Sequence, residues 1–386
     1  MQLSVIILNY NVRYFLEQCV LSVQKALENI DGEIIVIDNN SSDDSCEMMK
    51  ELFPNVKLIE NKENLGFPKG NNIGVAQAKG EYICILNPDT VVAEDTFEKI
   101  LNFVTLSAVE VPNSEIGIIG CKLIDGTGNF LPESKRGVPT PWVAFTKIFG
   151  LYKISNVFGK YYAQHLTENQ SGKVDILVGA FMVMKRELYN EIRGFDENCF
   201  MYSDDIDLSY MALKKGKTNY YFHETTVIHY KGESTVRDSK YMKRFQEAMN
   251  FFYSKHFKKS FVFDIFMKIG VLFFSFVKMF QGNTINKKSP QIYILVSDSP
   301  RSDELLYTLE RNLNANVICK SVAETYIDRR VEFIIDLNSI SYKKAISLME
   351  LNENKNFTFK FLNQKSNYLI GSNNSIDRGE IITLKN

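Results

Sequence analysis

The chain has 386 residues, 45% of them hydrophobic, and a formal net charge of −1 at pH 7. This length and apolar content predict one large domain with a sizeable core, together with a smaller unit. The near-neutral charge gives no reason to expect nucleic acid as a partner. The six cysteines form no C-x-x-C pair, which argues against a disulfide framework or a zinc cluster and fits a reducing compartment.

The first residues, MQLSVIILNYN, enter an apolar run directly and lack the basic region and apolar core of a signal peptide. They therefore predict a cytoplasmic protein. Residues 1–120 then alternate predicted strands and helices, which is typical of a mainly parallel sheet covered on both faces. The predicted strands are 4–8, 33–37, 56–60 and 82–86, and the predicted helices are 14–29, 42–52, 71–78 and 93–106.

The rest of the chain divides by composition. Residues 107–235 have a mixed pattern with short strands, and residues 291–386 return to a β-α rhythm without G-x-G-x-x-G. We predict an α/β domain over 1–240, a helical segment over 241–281, a polar linker over 282–290 and a small Rossmann-like α/β domain over 291–386.

Segment 261–280 is the most apolar part of the chain, but its longest uncharged run is too short for a spanning helix, which needs roughly 20 mostly apolar residues. Its polar residues share one helical face, which is typical of a helix lying in a membrane interface. A core helix would show the same period. Basic and aromatic residues over 133–162 could likewise face lipid headgroups or form an irregular lobe.

Ligands of parallel sheets bind beyond the carboxyl ends of the strands, so the polar residues there are candidates. Tyr10 follows the first strand and could stack on a nucleotide base, while Asp38 ends the second strand and could accept from a base N–H group. The turn after the first strand lacks the glycines of a dinucleotide site. The alternative for Asp38 is an Asx-turn.

The stretch ENLGFPKGNNIG, residues 63–74, contains three glycines spaced four apart but lacks the G-K-[ST] ending of a phosphate loop. We interpret it as a plain surface loop before the helix predicted over 71–78.

Asp89 follows the fourth predicted strand in the sequence LNPDT. A carboxylate there could hold Mg²⁺ or Mn²⁺, hard ions that take oxygen ligands and substrate phosphates. Such an ion acts as a Lewis acid toward a diphosphate leaving group. Asp89 or Thr90 could instead cap a helix over 91–106.

Three acids, Asp204, Asp205 and Asp207, crowd the first turn of a predicted helix after Ser203. Ser203 could cap that helix, and acids in its first turn complement the helix dipole. A clustered, partly desolvated carboxylate also has a raised pKa and becomes a better general base. His229, at the end of a later strand, could ligate a metal or be structural.

Taken in order, these stretches resemble family 2 glycosyltransferases, and more closely the rhamnosyltransferase-type members that extend surface polysaccharides. The resemblance runs from residue 1 to about 240, and the matching stretches are VIILNYN, VIDNNSSDDS, ENLGFPKGNNIG, ILNPDT, GAFMVMKRE, GFDENCFMYSDDIDLSYMALKKG and VIHYKGEST. It implies a GT-A type fold, a nucleoside diphosphate sugar donor and direct displacement that inverts the anomeric configuration.

The resemblance also implies roles for individual residues. Tyr10 and Asp38 fall where the family contacts the base. Asn87 and Asp89 fall on its D-x-D motif, so Asp89 is the surviving metal-binding acid. Asp205 matches the catalytic base of the subgroup's Glu-Asp pair, and Asp204 stands in place of the glutamate as a supporting acid. His229 falls where many members supply a metal ligand.

The sequence-level hypothesis is therefore a transferase that moves a sugar, with rhamnose as the first candidate, to a hydroxyl of a saccharide or lipid-linked saccharide at the inner face of the membrane. Two alternatives stay open. One is a non-catalytic nucleotide-sugar binding protein, and the other is a sugar-phosphate nucleotidyltransferase, whose usual glycine- and arginine-rich loop is missing here.

Overall fold

The computed structural model describes residues 1–110, 116–140, 143, 161–231, 239–257, 290–300, 302–320, 330–355, 357–363, 367–374 and 379–385. The described residues form two β-sheets with flanking helices. The helices are α1 Arg13–Ala26, α2 Ser45–Leu52, α3 Gly66–Ala76, α4 Thr96–Glu110, α5 Arg186–Glu191, α6 Asp204–Lys214, α7 Ser239–His256, α8 Ser302–Leu313 and α9 Tyr342–Leu351.

The first sheet is mixed. Its strands lie in the order β3-β2-β1-β4-β8-β6-β9-β5, and β7 pairs with β9 beside this path. The first four strands of that order are parallel, whereas β8 runs antiparallel to both of its neighbours. The strands are β1 Leu3–Asn9, β2 Gly32–Asp38, β3 Lys57–Glu60, β4 Tyr82–Leu86, β5 Thr90–Val91, β6 Ile116–Ile124, β7 Gly172–Val174, β8 Phe181–Lys185 and β9 Thr218–His229.

Both faces of this sheet are buried. Along β1, Val5 and Ile7 pack into one apolar cluster, while Ile6 and Leu8 pack into another on the opposite face. This alternation follows from the two-residue period of a strand. It explains why the predicted strands read as continuous apolar runs, and the predicted mixed sheet with flanking helices is confirmed.

The second sheet has the order β11-β10-β12-β13-β14-β15, with its first four strands parallel and its last two antiparallel. We refer to this sheet with α8 and α9 as the C-terminal unit. Its strands are β10 Ile292–Val296, β11 Val317–Lys320, β12 Val331–Asp336, β13 Thr358–Asn363, β14 Tyr368–Ser372 and β15 Glu380–Thr383.

The C-terminal unit packs directly on the first sheet. One apolar cluster contains Val91 and Ile228 of the first sheet together with Ile294, Phe333 and Phe361 of the second. The two sheets therefore share a core, and the linker predicted over 282–290 lies, except for residue 290, outside the described residues.

Two sequence interpretations are wrong. The glycine-rich stretch 63–74 is not a surface loop, because α3 begins at Gly66 within it. A Cβ on Gly70 would lie 2.4 Å from Leu8 Cδ1, and one on Gly74 would lie 2.4 Å from Ile37 Cδ1. Gly70 and Gly74 thus let α3 lie close against β1 and β2.

The second error concerns the residues after Asp89. Thr90 and Val91 form strand β5, and the following helix begins only at Thr96. Neither Asp89 nor Thr90 is therefore a helix cap.

No helix within the described residues is long and apolar enough to cross a membrane. The predicted interfacial segment 261–280 lies outside the described residues, as do residues 141–142 and 144–160 of the stretch 133–162.

We predict that Gly74→Ala lowers the free energy of unfolding by about 1–3 kcal/mol, because the added methyl group overlaps Ile37 and Ile6. In an exposed helix the same change raises the free energy of unfolding by about 1 kcal/mol. The sign of the measured change therefore shows whether Gly74 is needed for close packing. Urea unfolding measures it. Lys69→Ala, at an exposed position of the same helix, is the control and should change stability by less than about 0.5 kcal/mol.

Candidate functional site

A cavity of about 330 Å³ opens at the carboxyl ends of β1, β2 and β4. Its walls bring together stretches that are far apart in the sequence. The lining residues that matter for chemistry are Tyr10, Asn87, Gly179, Asp204, Asp205 and Arg244. Four of these six, namely Tyr10, Asn87, Asp204 and Asp205, were candidates from the sequence.

Asp89 lies directly behind this wall and is buried with 3% of its surface exposed. Strand β5 pairs antiparallel with β9, and this pairing sets Thr90 opposite His229. As a result Asp89 Oδ1 lies 3.4 Å from His229 Nε2, and Asn87 Nδ2 lies 3.3 Å from the same nitrogen. The structure thus brings together Asn87, Asp89 and His229, as the sequence predicts for a shared site.

Three buried atoms of this group have no hydrogen-bond partner among the described residues: Asn87 Oδ1, Asp89 Oδ1 and His229 Nδ1. Buried polar atoms are nearly always satisfied, so such a concentration needs an explanation. Carboxylate and amide oxygens with an imidazole suit a divalent ion that completes its shell with substrate phosphates. Among the described residues, no three His, Cys, Asp or Glu side chains are placed so that together they could hold a metal ion.

Asp205 lies at the start of α6 and is held by three donors. Arg136 Nη2 donates to Asp205 Oδ2 at 2.6 Å, and the Gly179 N–H group donates to the same oxygen at 3.1 Å. The Ile206 N–H group donates to Asp205 Oδ1 at 2.7 Å. Burial by itself would lower the pKa of Arg136, but the charge of Asp205 raises it above its ordinary value. The pair is therefore an ionic contact beside the cavity, and it fixes the direction of the Asp205 carboxylate.

Asp204 has a different environment. Burial, and after it the negative charge of Asp205, raises the pKa of Asp204 to about 8. The raised pKa favours the protonated form of Asp204, whereas the Asp205 carboxylate faces the guanidinium of Arg136. The two adjacent acids are electrostatically different although the sequence presents them as alike.

The third acid of the helix has a structural role. Asp207 Oδ1 lies 2.5 Å from His256 Nε2, and Asp207 Oδ2 accepts from Lys255 Nζ at 2.8 Å. These contacts fasten α7 to α6, and Tyr253 adds a hydrogen bond from its hydroxyl to the Pro139 carbonyl. Ser203, expected as a possible N-cap of α6, makes no side-chain capping bond.

Tyr10 and Asp38 are placed differently from each other. Tyr10 is 36% exposed and lines the cavity, where a base could stack on it. Asp38 is 2% exposed and is not among the lining residues. Its carboxylate accepts from the Asn9 side chain and from the N–H and hydroxyl groups of Ser41, three residues on. Asp38 therefore has the local turn-holding role that was left open as the alternative, although the bond reaches one residue further than in an Asx-turn.

Two arginines at the site did not emerge from the sequence. Arg136 belongs to the stretch 133–162, for which the sequence left open a position near lipid headgroups or an irregular lobe. Lys135 and Arg136 of this stretch are 5% and 8% exposed. Arg244 lies on α7, lines the cavity and lies 5.7 Å from the centre of the Phe200 ring. No local pattern marks either arginine, because their partners lie 69 and 44 positions away in the chain.

Comparisons with known proteins give the class. Residues 4–193 match the model of Glycosyl transferase family 2. Residues 4–193 of the chain therefore form a domain of this family. With the mixed sheet described above, this confirms the expected GT-A type fold.

Individual relatives share 30% or less of their residues with this chain in the two alignments that follow. The chain is 26% identical over 247 residues to an N-acetylglucosaminyl-diphospho-decaprenol L-rhamnosyltransferase of Mycobacterium tuberculosis, covering 61% of this chain and 78% of that protein. It is 30% identical over 175 residues to a GalNAc(5)-diNAcBac-PP-undecaprenol beta-1,3-glucosyltransferase of Campylobacter jejuni, covering 44% of this chain and 54% of that protein.

Among solved structures, TarS of S. aureus has a TM-score of 0.43 at 16% identity and covers 66% of this chain and 40% of that one. The mannosyltransferase PcManGT of Pyrobaculum calidifontis was solved with GDP-Man and Mn²⁺. It has a TM-score of 0.45 at 17% identity, and the match covers 72% of this chain and 70% of that one.

The raised pKa of Asp204 predicts a pH-dependent stability. Between its ordinary value near 4 and about 8, the folded state holds one proton that the unfolded state has released, so this group lowers stability as pH rises through that window. Asp204→Asn should therefore gain stability relative to the parent between pH 5 and pH 8, by up to about 1 kcal/mol per unit. Urea unfolding at both pH values measures this. Equal differences at the two pH values would contradict the assignment.

Proposed function

We propose that this protein is an inverting glycosyltransferase that moves a sugar from a nucleoside diphosphate donor to a hydroxyl group of a saccharide or lipid-linked saccharide. The observation that carries the proposal is a cavity at the carboxyl edge of the sheet that is lined by Asp204, Asp205 and Asn87. Asn87 Nδ2 lies 3.3 Å from His229 Nε2, and Asp89 Oδ1 lies 3.4 Å from the same nitrogen. The family match over residues 4–193 supports the reaction class.

The donor would lie across the carboxyl ends of β1 and β4. Tyr10 offers an exposed ring on which a base can stack, and Asp38 shapes the same edge through its turn. Asn87 and Asp89, with His229, would hold Mg²⁺ or Mn²⁺ against the diphosphate. A bound divalent ion supplies Lewis-acid stabilisation of the negative charge on the departing diphosphate. Arg244 adds a positive charge to the cavity wall.

The chemical step is one displacement. The acceptor oxygen forms a bond to the anomeric carbon while the bond from that carbon to the diphosphate oxygen breaks, and the electron pair leaves with the diphosphate. Asp205 accepts the hydroxyl proton during attack. The raised pKa of Asp204 favours its protonated form and makes it the poorer acceptor. The Asp205 carboxylate keeps lone pairs beyond those used by Arg136, Gly179 and Ile206. Attack opposite the leaving group inverts the configuration.

The acceptor proposal rests on the relatives. The names of the mycobacterial and Campylobacter proteins both specify a saccharide on a diphospho-linked polyprenol. A lipid-linked acceptor would bring this chain to the inner face of the cell membrane as a peripheral protein in polysaccharide synthesis. L-rhamnose is the first donor sugar to test, because one of these relatives is named for it.

The decisive experiment is a panel of nucleoside diphosphate sugars, each tested for hydrolysis or transfer with and without Mn²⁺. We expect one donor to be turned over only with the metal, and Asp89→Ala to raise the half-saturating Mn²⁺ concentration at least about tenfold. Donor binding without turnover of any sugar would favour a non-catalytic binding protein. Turnover by Asp89→Ala with unchanged Mn²⁺ dependence would exclude the proposed metal group.

Asp205→Asn should lower kcat by about 10²–10⁴-fold, which is the usual contribution of general base catalysis. The same change leaves Arg136 buried without its charged partner, so the melting temperature must be measured alongside. Asp204→Asn is the matched control, since it removes an adjacent acid that is neutral at pH 7. If Asp204→Asn loses as much activity as Asp205→Asn while both stay folded, Asp205 is not the distinct base.

A further inference from the structure

The C-terminal unit has a role that its own sequence does not reveal. It packs on the first sheet at the outer strands β5 and β9, which are the strands that end beside Asp89 and His229. Val91, Ala93, Ile228 and Tyr230 are all buried in the core shared with the C-terminal unit. The strand pair that joins Asp89 to His229 therefore has the C-terminal unit as its apolar support.

Polar contacts fasten the same segment. Glu94, five residues after Asp89, accepts hydrogen bonds from the N–H groups of Tyr342 at 2.7 Å and Lys343 at 2.8 Å. Ser341 Oγ accepts from the N–H group of Lys344, so the N–H groups of the first three residues of α9 all have acceptors. The N-terminus of a helix is the usual place for an anion in an α/β unit, and here the first sheet's own carboxylate occupies it.

Strand β9 is held in a similar way. Glu350, in the last turn of α9, accepts from Thr226 Oγ1 at 2.9 Å and lies 3.1 Å from the buried Lys122 Nζ. Thr226 precedes His229 by three residues. Both ends of α9 therefore make hydrogen bonds to the region of the strand pair. Its N-terminus binds Glu94, which follows β5, and Glu350 near its C-terminus binds Thr226 of β9.

The link from this support to the site is short. The Tyr230 N–H group donates to the Asp89 carbonyl at 3.0 Å, and the Tyr230 ring packs edge-on against Phe15 with centroids 5.1 Å apart. A Cβ on Gly126 would lie 2.8 Å from Ser372 Cβ and 3.0 Å from the Tyr230 ring, so Gly126 packs between the C-terminal unit and the residue next to His229 with no room for a side chain.

We propose that the C-terminal unit is an intramolecular support that positions Asp89 and His229 by stabilising the β5–β9 pair. Helix α9 makes the polar contacts of this support. The catalytic meaning of this positioning rests on the proposed function, in which Asp89 and His229 hold the metal. The structural support of the strand pair can be tested without measuring turnover. The proposal treats Glu94 and Glu350 as positioning residues that act through the strands and do not touch substrate.

The experiment uses the full chain carrying Glu94→Ala or Glu350→Gln. Hydrogen–deuterium exchange is followed in peptides covering residues 86–95 and 224–231, which contain the β5–β9 pair. We expect exchange there to accelerate about fivefold or more, because local opening depends on local contacts. Peptides covering β1 and β2 should not change. Asp298→Ala is the matched control, since Asp298 pairs with Lys344 of α9 within the C-terminal unit.

The second measurement is the half-saturating Mn²⁺ concentration for turnover of the donor identified by the panel, which should rise about tenfold in Glu94→Ala with a smaller change in kcat. Unchanged exchange in both variants would overturn the support, as would faster exchange with unchanged Mn²⁺ dependence. If the parent protein turns over no donor, the proposed function fails, and the exchange data alone still decide whether α9 supports the strand pair.

Discussion

The antiparallel pairing of β5 with β9 is the contact on which the site depends. It joins Asn87 and Asp89, which follow the last parallel strand of the first half, to His229, 142 positions beyond Asn87. Strand β5 is only two residues long, so its own ladder hydrogen bonds give little stability. Its position is secured instead by the apolar core beneath Val91, which both sheets build.

The acidic helix shows how one local pattern separates into three roles. Asp205 turns to Arg136 and to the Gly179 N–H group at the cavity, Asp204 remains neutral beside it, and Asp207 faces away to hold α7. Three like charges in one helical turn would repel one another. The fold resolves this by protonating one acid and pairing the other two with separate cations.

Several particular features were accessible from the sequence and others were not. Continuous apolar runs predicted strands β1, β2 and β4 closely, because strands buried on both faces leave little other choice of residue. The stretch at 63–74 was misread because glycine is used both in loops and in close helix packing, and only the neighbouring Leu8 and Ile37 distinguish them. Arg136 was not singled out from the sequence, because its partner Asp205 lies 69 positions away.

The sequence by itself determined the α/β class, the strand ends that carry the polar residues, and the family to which residues 4–193 belong. These follow from local periodicity and from the order of motifs, both of which are written along the chain. Only the tertiary structure decided which acid meets Arg136, which acid keeps its proton, and that Glu94 occupies the N-terminus of α9. Each of those outcomes depends on the burial of the side chain and on its electrostatic interaction with charges that are close in space. The residues next to it in the sequence determine neither of these.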